Sequence, residues 1–202
     1  MRLKLLLLFA CLFTTPYLAL SQDVADDVDT RKWYAPDGVT LQFAGNIGMF
    51  SAGPNYSFFN RKLDAELLYG FVPKLDAEEM LHLLTVRTRY KPFRRIALSE
   101  KYTVTPLRVG LGLSYYFRDQ FSTSWDSSYP TKDYYWWTSS LRITGGLGAE
   151  VNRSITNGGL IKEITLYSEI GTYDLIVTSA VKDKTLTALD IMSFSVGVSA
   201  GF

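Results

Sequence analysis

The residues able to do chemistry in this chain are few, and their types and spacing limit what that chemistry can be. One His (His82) and one Cys (Cys11) occur in 202 residues, so a Cys/His zinc site and an intrachain disulfide are both arithmetically impossible. Carboxylates and guanidiniums remain: Glu66, Arg87, Arg89, Arg108, Arg142, Glu150 and Glu169 each sit at alternate positions among apolar residues. Such charges, facing one another across a narrow interior, predict a salt-bridge network that fills space rather than a proton or ion path. A lone hydroxyl, Ser168, falls on the apolar phase between Leu166 and Ile170. Gly145-Gly146-Leu147-Gly148 lies in mid-strand, outside the strand-to-helix context of a phosphate loop, and reads as packing. No cofactor and no metal site is expected.

The elements that must position these residues alternate with a period of two. Phe194, Val196, Val198, Ala200 and Phe202 interleave with Ser193, Ser195, Gly197, Ser199 and Gly201. Successive strand side chains point to opposite faces, so one face is wholly apolar and the other small and polar. A helix, stepping 100° per residue, would scatter both sets. The same sorting recurs at 39–49, 63–71, 82–91, 107–116, 141–151 and 164–171, separated by turn-rich segments. It predicts strands near 39–49, 53–59, 62–73, 80–92, 103–117, 134–151, 161–178 and 188–202. Gly53-Pro54 reads either as the turn between the first two or as a bulge within one. The predicted fold is all-β, an eight-stranded antiparallel up-and-down transmembrane β-barrel.

The membrane enters through the polar face. A water-facing sheet surface carries many Lys and Glu and little Gly, whereas this face is rich in Gly and Ser with isolated charges of both signs. Small residues and ion pairs suit the crowded interior of a narrow barrel, and the apolar face then meets lipid. Closure also pairs every backbone group, which lipid demands. Eight strands leave an interior that side chains fill, so a diffusion pore is not expected. The soluble alternative is a secreted lipocalin-like lipid-binding barrel, for which the Gly/Ser face offers too little volume to form a core. With 21 Lys+Arg against 20 Asp+Glu, the chain lacks the basic excess of a nucleic-acid-binding protein.

Residues 1–21 predict a cleaved signal peptide: Arg2 and Lys4, an apolar run Leu5 to Phe13, then Ala19 and Ser21 before a cut. Loss of Arg2 and Lys4 would take the formal charge from +1 to −1. Residues 22–36 read as a flexible acidic extension, and 37–202 as the barrel. Tyr134, Tyr135, Trp136 and Trp137 have the makings of an interfacial aromatic girdle where the 118–133 loop enters a strand. Lys91, Arg94 and Arg95 lie in a connection placed on the periplasmic side, as a solvated turn or as a contact for acidic lipid or a periplasmic partner.

The chain resembles small bacterial outer-membrane barrels of the OmpX/OmpA type, and its 82–117 and 161–202 segments resemble barrels of the lipid A 3-O-deacylase family. In that family a His and a Ser two positions apart lie on the lipid side of a late strand, with an acidic residue on the last strand. The Ser attacks an acyl ester, the His takes its proton and the carboxylate orients the His. The matching segment here is Leu166-Tyr167-Ser168-Glu169. The resemblance implies Ser168 as nucleophile, with His82 and Asp190 as its only available partners. Leu166 stands where the family has its His, and His82 falls on the outward phase of a different strand. A hairpin turning near Lys182-Asp183 pairs Ser168 with residues around 197 rather than with Asp190. The expected role is therefore non-enzymatic: a monomeric outer-membrane barrel of a Gram-negative-type bacterium, structural or surface-interacting. Phe121, Trp125 and Tyr129 of the 118–133 loop form its outer contact. A lipid A-modifying acyl hydrolase is the alternative. Expected partners are outer-membrane lipid and lipopolysaccharide, and the barrel-insertion machinery through the strand ending at Phe202.

Overall fold

The computed structural model describes residues 32, 34–74, 80–117, 140–156, 159–183, 185–187 and 189–202. The predicted signal peptide, most of the acidic extension, the 118–133 loop and the 134–137 aromatics lie outside the described residues. Pro36–Phe202 forms one compact unit.

That unit is an eight-stranded closed antiparallel β-barrel. Its strands are β1 (Gly38–Ala44), β2 (Phe50–Phe58), β3 (Leu63–Val72), β4 (Leu81–Tyr90), β6 (Tyr102–Tyr116), β7 (Leu141–Ser154), β8 (Glu163–Tyr173) and β9 (Ser193–Gly201). A two-residue strand, β5 (Ile96–Ala97), pairs with β6 inside the connection that follows β4. Neighbours in sequence pair with one another, and the sheet closes through β1 with β9 and β4 with β6. No barrel strand is left as an edge. One end carries the start of β1 and the finish of β9, and is called the near end below; the other is the far end.

Four elements differ from the sequence expectation, the last of them β9, which starts at Ser193 rather than near 188. The turn between the first two strands spans 45–49, with Ala44, Gly45 and Gly48 at positive φ (62°, 88° and 107°). Gly53 and Pro54 lie within β2, where they pair with Thr40 and Val39 of β1 but drop out of the ladder to β3. A Cβ on Gly53 would run into the Leu67 carbonyl, so this approach requires glycine. β7 spans Leu141–Ser154 and so runs three residues past the expected end at 151. β8 stops at Tyr173, and Asp174–Lys182 forms a helix, α1. There Leu175-Ile176-Val177 breaks the alternation: a continuing strand would aim Val177 into the polar interior. The Asp174 carboxylate accepts the Leu175 N–H (2.8 Å), and Thr178 donates back to the Asp174 carbonyl (2.8 Å), closing the first turn.

The two faces of the wall have opposite chemistry. Large apolar side chains are exposed on every barrel strand except β3, among them Leu41, Val86, Leu111, Leu147, Leu166 and Phe194. The outward Leu67, Tyr69 and Phe71 of β3 are half-buried between neighbours. Inward positions are polar or charged and buried, and a small apolar cluster (Ile47, Leu68 and Leu83, with Tyr116 against it) sits towards the far end. Inward volume is limited by glycine: a Cβ on Gly197 would land on the Tyr167 ring.

Candidate functional site

The barrel lumen holds nearly all the buried charge. Glu66 of β3 lies at its centre. One carboxylate oxygen accepts from Arg89 Nη1 (2.6 Å) and from the Thr40 hydroxyl (3.2 Å); the other accepts from Arg87 Nε (2.8 Å) and faces Arg87 Nη2 (2.8 Å). Both guanidiniums donate to Gln42 Oε1, Arg87 at 2.9 Å and Arg89 at 3.3 Å, and the Tyr167 hydroxyl donates to the same oxygen at 3.0 Å. Glu169 of β8 faces Arg87 and Arg89 from the opposite wall at 3.6 and 3.5 Å. The Tyr167 ring lies between two guanidiniums, 4.3 Å from Arg89 and 4.2 Å from Arg108, an arrangement favoured by the negative face of the ring.

The network continues towards the near end. Arg108 meets Glu150 at 3.1 Å, and Glu150 also accepts from Thr105 (2.9 Å) and faces Lys91 (3.1 Å). Lys91 then reaches Asp64 at 2.7 Å, whose other oxygen accepts from Ser57 (2.8 Å). Arg87, Arg89, Arg108 and Lys91 are thus matched by Glu66, Glu169, Glu150 and Asp64, while Arg142, expected in the same network, is buried nearer the far end and donates to the Leu141 carbonyl (3.0 Å). Lys91, read from sequence as part of a basic turn, is buried here; it continues the inward phase of Arg87 and Arg89. At the near mouth Glu163 is shared by Arg61 (2.7 Å) and Arg95 (2.9 Å). Arg61 ends a run of three left-handed residues, Phe59, Asn60 and Arg61 (φ 53°, 54° and 62°). Non-glycine residues occupy that region only where the surroundings hold them, and the Arg61–Glu163 pair is one such hold.

Two small cavities flank the knot. One of about 20 Å³ lies on its far side against Gln42, Arg87 and Glu169; one of about 40 Å³ lies on its near side against Glu66, Arg89 and Lys91. A water needs roughly 10–15 Å³ of such space, so each holds a few waters at most. The arrangement fills the middle of the lumen with charged side chains paired across it.

The residues implied by the hydrolase resemblance are not brought together. Ser168 is exposed on the outer wall of β8 and pairs in register with Val196 of β9 and Ala149 of β7. His82 lies on the outward face of β4, hydrogen-bonded to the Tyr69 hydroxyl and against the Phe71 ring. In barrel order β6 and β7 stand between β4 and β8, three strand steps of about 4.8 Å each. Asp190 lies outside the strands, in the connection before β9. It accepts from the Thr187 hydroxyl (2.7 Å) and N–H (2.8 Å), which hold its fully exposed carboxyl below the usual Asp range. Gln42 and Tyr167 fall on the polar phase of their strands, but no local pattern shows that they join the knot around Glu66, because contacts across a lumen depend on strand stagger. Among the described residues no group of three or more His, Cys, Asp or Glu could hold a metal ion.

No protein-family model and no curated protein matches the chain. Among solved structures, the crystal structure of CarO from Acinetobacter baumannii is similar at 11% identity and a TM-score of 0.40, over 85% of this chain and 100% of that one.

Proposed function

We propose that this protein is an outer-membrane β-barrel with a lumen closed by its own side chains, serving a structural or surface-interaction role rather than solute diffusion or catalysis. The observation that carries the reading is the inverted polarity of the wall: exposed Leu111, Leu147, Leu166 and Phe194 outside, and buried Glu66, Arg87, Arg89 and Arg108 inside. In water this would leave an apolar surface running around the barrel, far beyond the patches of a few hundred Å² that soluble monomers tolerate. In a bilayer the same band is solvated and the closed ladder leaves no open strand edge. On this reading residues 1–21 direct export, lipid and lipopolysaccharide surround the wall, and the 118–133 loop supplies the contact with the exterior.

The test joins two measurements on the refolded protein. Heat-modifiable gel migration that requires detergent or lipid establishes the barrel as a membrane species. Planar bilayers containing it should then show no steady conductance steps. A folded, monodisperse protein in plain buffer contradicts the membrane assignment, and porin-like conductance contradicts the plug.

A further inference from the structure

The near-end connections are rich in cations. The three near-end connections, 59–62, 91–101 and 155–162, contain seven Lys/Arg and one acidic residue, Glu100. Among the described residues the four far-end connections carry two Lys, Lys74 and Lys182, and three Asp, Asp174, Asp183 and Asp190. Three of the near-end cations are committed internally, Lys91 to the lumen and Arg61 and Arg95 to Glu163. Lys62, Arg94, Lys101 and Lys162 are exposed and make no ion pair among the described residues. Arg153, also exposed at this end, lies over the Tyr102 ring at 5.8 Å. Six side chains on the same turns are apolar and exposed: Phe59, Phe93, Ile96, Leu98, Leu160 and Ile161.

Cations and apolar tips on one rim, continuous with the apolar outer wall, have the composition of a surface that sits in a lipid headgroup layer. The apolar tips reach the acyl boundary and the ammonium and guanidinium groups stay among phosphates. We infer that the near-end rim binds anionic phospholipid headgroups of the leaflet it faces. This rests on the membrane reading above and deepens it: Lys62, Arg94, Lys101 and Lys162 pair with lipid phosphates, while Phe59 and Phe93 fix the depth. Lipid is favoured over an acidic protein because the cations come from three separate turns around the rim and are interleaved with apolar side chains that a soluble partner would have to cover.

The probe is short-chain phosphatidylglycerol added to the full barrel in phosphocholine micelles, with phosphatidylcholine of the same chain length as control, followed by amide NMR. Phosphatidylglycerol should produce saturable shifts confined to 58–62, 93–101 and 153–162, weakened by salt. A variant carrying Lys62→Gln, Arg94→Gln, Lys101→Gln and Lys162→Gln, with an otherwise unchanged dispersed spectrum, should bind at least about tenfold more weakly, since each cation near a lipid surface contributes on the order of fivefold in affinity at low salt. Single Lys101→Gln and Lys162→Gln variants serve if the quadruple variant does not fold. Equal shifts with both lipids, equal binding by variant and wild type, or shifts centred on the far end overturn the assignment, the first leaving the rim to an acidic protein. Each of these leaves the barrel folded in micelles, which separates them from failure of the membrane reading itself.

Discussion

On β4, Arg87 and Arg89 are buried and each meets two carboxylates, whereas Val86 and Tyr90, one residue to either side, are exposed large apolar residues. The same contrast holds for the charges and the large apolar residues: the inward charges have defined counter-charges, and the exposed outward aliphatic side chains have only surroundings. An inward residue is constrained by geometry, because a charge in the lumen must find its counter-charge at a set distance across the barrel. An outward residue is constrained by solvent, because any apolar side chain satisfies hydrocarbon. The identity of the fold therefore resides in the knot, and its address in the wall.

Breaking the inner face should cost most. Glu66→Ala leaves Arg87 and Arg89 without their nearest carboxylate, and removing one partner of a buried pair costs about 3–5 kcal/mol; urea titration of the heat-modifiable band in vesicles should read this out. On the outer face, Leu147→Arg should cost about 2–4 kcal/mol in a bilayer if the residue sits near the midplane. The same substitution in plain detergent micelles should cost far less, which isolates the hydrocarbon contribution. Gly197→Ala sharpens the contrast between faces, since its methyl must displace the Tyr167 ring and overpacking of this kind costs about 1–3 kcal/mol. The smallest effect belongs to Leu166→Ile, a wall substitution with no fixed partner, which should shift stability by about 0.5 kcal/mol or less.

The same contrast explains how much could be read from sequence. In β9 the two faces differ so completely, Phe194, Val196 and Val198 against Ser195, Gly197 and Ser199, that strand and phase follow from the residues alone. The eight barrel strands and most inward charges were legible for that reason. Turns were less so: Gly53-Pro54 has stronger turn chemistry than Gly45-Asn46-Ile47-Gly48-Met49, yet the chain reverses at the latter. Lys91 looked like loop charge because it stands beside Pro92 and Arg94, although its phase continues that of Arg89. The strand-to-helix change at Asp174 was hidden because Leu175-Ile176-Val177 suits a buried strand as well as a helix. Partner choice within the lumen was not legible at all. That Gln42 Oε1 gathers two guanidiniums and a phenol follows from the stagger of β1, β4 and β8, which no local pattern encodes.

The central claim, that the apolar face of each strand meets hydrocarbon while the polar face closes the lumen, is tested most directly by spin labels on β9. With Cys11 the only native cysteine, and replaced where retained, single cysteines at Val196 and Val198 can be compared with cysteines at Ser195 and Ser199 in lipid vesicles. Labels at 196 and 198 should collide freely with oxygen and hardly at all with a water-soluble nickel chelate. Labels at 195 and 199 should be immobile and shielded from both. High chelate accessibility at 196 and 198, with oxygen accessibility no greater than at 195 and 199, would contradict the account.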